Sequence, residues 1–329
     1  MARLFATTDA LKQALGNVNM NVSIETMGSY LDQAWEMFMV PYIGRNYGDA
    51  FCDAYATDDL DANDQLLLTK IQVPLANFAY KLYADDGGLI VDEAGITTQE
   101  DERNKRPYQW QVRDFKKNRL TQGWQGVRTM LGYLDRNADI YETWWDSDER
   151  KALWALVIWD VNTFNRYRKL DGMGTLAALQ SYQIEAVETS LSSCIGADFY
   201  AAVVEWLQER ETDASMTALL PYVEKYVAWK TIELGATDLP LEITATGIYL
   251  NEVNQGLQND ESKKMAALDK LKITANTNAG AAAKSLRNFL DANASGSVYA
   301  EYYNSDLYDV SAGSGRPDSQ LFKGPTFFM

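Results

Sequence analysis

The phrase SYLDQAWEMFMVPYIGRNY, residues 29–47, returns as SYQIEAVETSLSSCIGADF, residues 181–199. Ser-Tyr opens both, alanine holds the sixth place, and Ile-Gly falls near the end of each. The two phrases stand 152 residues apart (181 − 29), and the same offset persists beyond them. Leu67-Leu68 meets Leu219-Leu220, Leu82 meets Leu234, and Gly95-Ile96 meets Gly247-Ile248 without a gap. Convergent helical patterning would not hold one offset through helices and a glycine turn alike. Further on the register slips. GYLDRNADIYETWWDSD (132–148) answers NFLDANASGSVYAEYYNSD (288–306), pairing Leu134-Asp135 with Leu290-Asp291 and Ser147-Asp148 with Ser305-Asp306. Self-similarity of this kind marks a repeated structural unit. The chain reads as a module of about 130 residues copied in tandem, with a small insertion in the second copy's last helix or the turn after it.

Each module has the same internal order. Tyr30, Ala34, Met37 and Phe38, and in the second copy Tyr182, Ala186, Val187 and Leu191, recur at the helical spacing of three and four. Pro41, lacking a backbone donor, predicts a kink or break before Ile43. A second long helix follows over 66–83 and 217–234. A short alternating stretch around glycine comes next, 89–98 and 241–250, and predicts a hairpin with Gly95 and Gly247 at its turns. Glycine suits a turn because it alone takes positive φ cheaply. A third long helix closes each module, over about 109–136 and 262–290. Its buried face carries Leu131 and Leu134, and then Leu268, Leu271, Leu286 and Phe289. SDERKALWALVIWDVNTFNRYRKL, capped by Ser147 and ended by Gly172 and Gly174, predicts one joining helix. The fold class is mainly α: two tandem helical-bundle modules, each with a small hairpin, and an extended C-terminal tail. The expected boundaries are 1–146, 147–306 and 307–329.

Composition narrows the function. The chain has 329 residues, 47% of them hydrophobic, so each half can build a core. Thirty Lys and Arg against 46 Asp and Glu leave a formal charge of −16, which argues against wrapping nucleic acid. No leader-like or membrane-length apolar run is read in it. The two cysteines, Cys52 and Cys194, stand at non-equivalent places and read as free thiols. There is no histidine. The commonest general base and the commonest metal ligand are thus both missing.

The remaining motifs read as structure rather than chemistry. Asp59, Asp61 and Asn63 have the opening spacing of a calcium loop, but its sixth place holds Asp64 and its twelfth Lys70. Acidic residues ahead of an apolar helix are ordinary N-caps. Asp85-Asp86-Gly87-Gly88 is turn chemistry, and neither DGMGT nor GSGRP sits between a strand and a helix as a phosphate loop must. No nucleophile has a base beside it. No enzyme, cofactor or metal is expected. Trp110, Trp124, Trp144, Trp145, Trp154 and Trp159 crowd the junction; most should fill cores, with Trp144-Trp145 the best interface candidates. The basic run holding Arg103, Lys105, Arg106, Arg113, Lys116, Lys117 and Arg119 could pair with acidic groups of a neighbouring copy. The Gly- and Pro-broken C-terminus carries Leu321, Phe322, Phe327, Phe328 and Met329, apolar anchors that want a groove on a partner.

LFATTDALKQALG (4–16), YLDQAWEMFMVPYIG (30–44), GLIVDEAGITT (88–98) and KRPYQWQ (105–111) together resemble proteins encoded among virion structural genes of tailed phages and prophages of gut-type anaerobes. More loosely, the helical module resembles head–tail connector proteins, also called adaptor or head-completion proteins. That resemblance implies a homo-oligomeric ring, of about twelve copies, docked on the portal and joined to tail or neck proteins. It also implies DNA passing through the lumen without specific binding, no membrane, and a place in the virion after assembly in the host cytoplasm. Another virion structural role, tail-completion or capsid-associated, is the alternative within this class. A cytosolic, non-catalytic helical binding module is the alternative outside it.

Overall fold

The computed structural model describes residues 4–16, 22–86, 90–92, 95–97, 109–209, 212–239, 241–243, 247–250 and 261–309. The chain divides into two compact units, Met1–Ala152 and Leu153–Met329. The first runs α1 (Thr8–Ala14), α2 (Ile24–Ala34), a π turn (Trp35–Met39), α3 (Val40–Ile43), α4 (Arg45–Ala56) and α5 (Ala62–Asp86). The hairpin β1 (Ile90–Asp92) and β2 (Gly95–Thr97) follows, then α6 (Gln109–Arg136) and α7 (Glu142–Trp145). Helix α8 (Asp148–Ala155) contains the division. The second unit continues with α9 (Val161–Phe164), α10 (Met173–Ala178), α11 (Gln180–Glu185), a π turn (Ala186–Leu191), α12 (Ser192–Ile195), α13 (Ala197–Glu209) and α14 (Ala214–Asp238). It ends with β3 (Leu241–Ile243), β4 (Ile248–Leu250), α15 (Glu261–Asn293) and α16 (Ala300–Tyr303).

The long helices begin in step. Asp61 accepts from the Asp64 amide (2.8 Å) ahead of α5, and Asp213 accepts from the Ser215 and Met216 amides (2.7 and 3.0 Å) ahead of α14. These aspartates are 152 residues apart and satisfy amides that a helix start leaves bare. Asp61 thus caps α5, as an acidic residue ahead of an apolar helix is expected to. Helix α5 packs on α6, and α14 on α15. Each pair closes over a buried stripe, Leu67, Ile71, Leu75, Val127, Leu131 and Leu134 in one unit and Leu219, Val223, Val227, Leu271, Leu286 and Leu290 in the other. The hairpins share a register too: Val91 pairs with Ile96, and Ile243 with Ile248. Gly95 opens β2, and Gly247 directly precedes β4 with φ +142°.

The quoted phrase folds identically in both units, and not as a plain α-helix. The Val40 amide reaches back five residues to the Trp35 carbonyl, and the Ser192 amide to that of Val187. Pro41 therefore does not cause the irregularity, because Ser193 stands in its place in the second unit. The wider turn also moves the apolar face. Trp35 and Met39 are fully buried, while Met37, expected inside, is 58% exposed. Both turns end on a glycine, Gly44 (φ 80°, ψ 145°) and Gly196 (φ 88°, ψ 146°). A side chain there would meet the left-handed penalty.

The joining segment differs from the expected single helix. It stops at Ala155, turns at Val157 (φ 69°), where the Ile158 amide reaches back to the Leu156 carbonyl (2.7 Å), and restarts as α9 with Asp160 accepting from the Asn162 amide (3.1 Å). This break copies the start of the chain. Leu4 has φ 60°, and Thr7 caps α1. Buried Leu4-Phe5 answers buried Val157-Ile158. Residues from about 157 onward are thus the second unit's own leading strap, shifted by one residue, and the duplication reaches further back than the opening phrase. Ser147 does cap α8, accepting from the Arg150 amide (3.3 Å). At the other end α6 and α15 finish 157 residues apart (293 − 136) although the hairpins stand 152 apart, so the second unit gains residues between its hairpin and the end of its last long helix.

Candidate functional site

The Gly44 elbow is a polar site that several elements of the first unit build together. The turn leaves the first amides of α4 pointing outward, and a carboxylate arrives from α8: the Arg45 amide donates to Glu149 Oε1 (3.2 Å). A Cβ on Gly44 would lie 2.9 Å from Glu149 Oε2, so glycine also makes room for this cap. Arg45 in turn bonds Glu36 (2.6 Å) on the π turn. In the second unit Ser305 and Leu307 lie nearest Gly196 instead. Ser147 and Ser305 each donate to the carbonyl three residues back, Trp144 (2.6 Å) and Tyr302 (2.7 Å). The frame is repeated while the group aimed into it has changed from Glu149 to Leu307.

Among the described residues of the second unit, two tyrosines hold buried carboxylates. Tyr167 donates to Glu224 (2.8 Å), with Arg166 at 3.8 Å, and Tyr302 donates to buried Asp291 (2.7 Å). Burial pushes the Glu224 carboxyl above its ordinary value, although Tyr167 and Arg166 both pull the other way. The folded chain therefore keeps that proton to higher pH than the unfolded chain. Stability of the second unit should fall as pH rises from the ordinary glutamate range through the raised value, and Glu224→Gln should flatten that fall. Urea denaturation from pH 4 to 8 checks this; equal slopes for the two proteins would count against it.

The outer end of α2 and α11 carries one more repeated contact. Tyr30 lies beside Asp86 and Tyr182 beside Asp238, the last residues of α5 and α14. Both tie the first helix to the helix end from which the hairpin departs.

Of the basic segment, Arg103, Lys105 and Arg106 lie outside the described residues. Arg113 and Lys117 are exposed, Arg113 with Asp114 at 3.5 Å. Lys116 pairs within its own unit with Asp85 (2.9 Å), which Lys81 also holds (2.9 Å). Arg119 departs from the outward reading. It is buried, donating to the Leu15 carbonyl (3.0 Å), Asn77 Oδ1 (3.1 Å) and Gln122 Oε1 (3.3 Å), because its place on α6 faces α5. Trp144 is likewise core rather than interface, fully buried with its indole donating to the Tyr42 carbonyl (3.4 Å). Leu321, Phe322, Phe327, Phe328 and Met329 lie outside the described residues. Glu149, Glu224 and Tyr167 had no signal in the sequence; Tyr167 and Glu224 are 57 positions apart, and Glu149 and Arg45 are 104.

Among the described residues no group of three or more Cys, Asp or Glu is gathered as metal ligands, and no helix is long and apolar enough to cross a membrane. One family pattern, described as a family of unknown function (DUF6712), matches residues 40–152 and again residues 191–312. No curated protein and no solved structure matches the chain.

Proposed function

Since the chain belongs to the DUF6712 family of unknown function and carries its unit twice, we propose that it is a structural subunit of a tailed-phage virion. In this reading it is a head–tail connector that assembles as a ring, docks on the portal and links it to the tail. The observation that supports it is the repetition itself: one helical unit, with the same caps, π turn and hairpin register, stands twice in one chain. Two related but unequal faces per subunit are what a heterologous, ring-closing contact uses. The charge of −16 suits a lumen through which DNA slides without sticking. Leu321, Phe322, Phe327, Phe328 and Met329 would grip a partner by burying apolar side chains, each contributing roughly 1.5–3 kcal/mol. Such a subunit calls for no catalytic group, cofactor or metal.

Particles purified from an infected or induced culture should contain the chain in stoichiometric amount by quantitative mass spectrometry. Antibody labelling should place it at the neck. A chain left wholly in the particle-free lysate sinks this reading; labelling along the capsid or tail tip would move it to another virion role.

A further inference from the structure

We propose that α6 of one copy of this chain packs antiparallel across α15 of a second copy, with Lys117 of one against Asp269 of the other at the crossing. This rests on the reading of the chain as a self-assembling subunit. Arg113, Lys117 and Thr121 on α6 and Met265, Asp269 and Ile273 on α15 each form a row spaced by four on the corresponding outer face of their helix. All six residues are exposed. Met265 and Ile273, at 67% and 69%, are the most exposed large apolar side chains among the described residues. They are not part of the stripe that α15 buries, which runs through Leu271, Ala275, Ala282 and Leu286.

On each helix the three residues are spaced by four and form one ridge. Ridges of that kind interdigitate when two helices cross at about −50°. Crossing at the middle residue brings Lys117 to Asp269. The antiparallel sense then sets Arg113 over Ile273 and Thr121 beside Met265. The aliphatic stem of an arginine covers an isoleucine while its guanidinium stays in water. Opposed helix dipoles favour that sense over the parallel one.

Charge selects the partner. Pairing α15 with α15 would set Asp269 against Asp269, and pairing α6 with α6 would set Lys117 against Lys117. Like charges placed face to face reject both symmetric pairings. The combination left joins the first unit of one copy to the second unit of the next. Such a contact repeats from copy to copy and closes into a ring or runs on as a filament. Duplication followed by divergence of one ridge thus supplies both halves of a contact within one chain.

Sedimentation velocity of the full chain over a concentration range tests the proposal. The unmodified chain should associate with concentration, and Ile273→Glu or Asp269→Lys should each weaken association by about tenfold or more, as expected where an apolar or charged contact worth about 1.4 kcal/mol is lost. Lys117→Asp combined with Asp269→Lys should recover most of it. In a Cys52→Ser background, oxidising a mixture of separately prepared Lys117→Cys and Asp269→Cys chains should yield crosslinked dimers well beyond those of either chain alone. A chain that is monomeric at every concentration overturns the proposal, as does association indifferent to these substitutions or a mixture that crosslinks no better than its components. Indifferent variants with the chain still present at the particle neck would remove this contact and leave the virion role; association through this contact with no chain in particles would do the reverse.

Discussion

Trp35→Ala should lower the stability of the first unit by about 3–5 kcal/mol, the range for deleting a buried aromatic side chain. Trp35 is completely buried on the π turn, and its ring occupies space that Gly48 leaves open on α4: a Cβ there would lie 2.8 Å from Trp35 Cζ2. The second unit carries the opposite sizes at these two positions. Val187 stands where Trp35 does, and Tyr200 where Gly48 does. Gly48→Ala alone should cost about 1–3 kcal/mol by overpacking. Combined with Trp35→Val it should cost clearly less than the two singles added, because the smaller residue returns the room; coupling of about 0.5–3 kcal/mol is usual for contacting residues. Urea denaturation, with hydrogen exchange assigning the loss to residues 22–86, measures both effects. A Trp35→Ala chain within 1 kcal/mol of the original, or strictly additive singles, would falsify this account of the turn.

Arg119→Leu should cost about 3 kcal/mol and loosen α1. The guanidinium is the donor for the Leu15 carbonyl just beyond α1 and for Asn77 within the core, and each acceptor left bare in a buried place costs about 1–3 kcal/mol. Burial already lowers the Arg119 pKa, so the charge is held by these partners and by the rings of Phe115 and Tyr80, 5.1 and 5.8 Å from it. The second unit shows that the scaffold does not need the polar pair, since in the register that sets Leu134 against Leu290 buried Ala275 stands where Arg119 does, and Trp229 stands where Asn77 does. Changing Asn77→Leu together with Arg119→Leu should therefore recover part of the loss, as an apolar replacement of a buried polar pair can. Amides of residues 8–14 should exchange faster in Arg119→Leu alone. Unchanged protection there, with unchanged stability, would show that Arg119 does not pin the strap.

Much of the fold is legible in the residues because helix periodicity and capping are local. The end of α6 falls at Arg136 as the pattern predicts, and Asp61 and Asp213 announce the helices behind them by the same amide-satisfying chemistry. The hairpins follow from alternation around Gly95 and Gly247. What misleads is also local. An apolar period counted at 3.6 residues per turn places Met37 inside, whereas the π turn puts Trp35 and Met39 there. A run of helix formers from Ser147 to Leu170 conceals the break at Val157, where no glycine or proline marks the left-handed residue.

The sequence by itself determined that one helical unit is written twice, because an offset held through caps, helices and a glycine turn survives the divergence of individual side chains. Which residues are repeated in role, and not only in position, was decided by tertiary packing. Arg119 and Ala275 share a position, yet one carries a buried charge and the other an apolar contact. Glu149 and Leu307 reach equivalent elbows, one to cap amides and the other to cover them. Each outcome depends on partners far along the chain, where volume and hydrogen bonding must balance across a core. Such a balance has no period for a sequence to show.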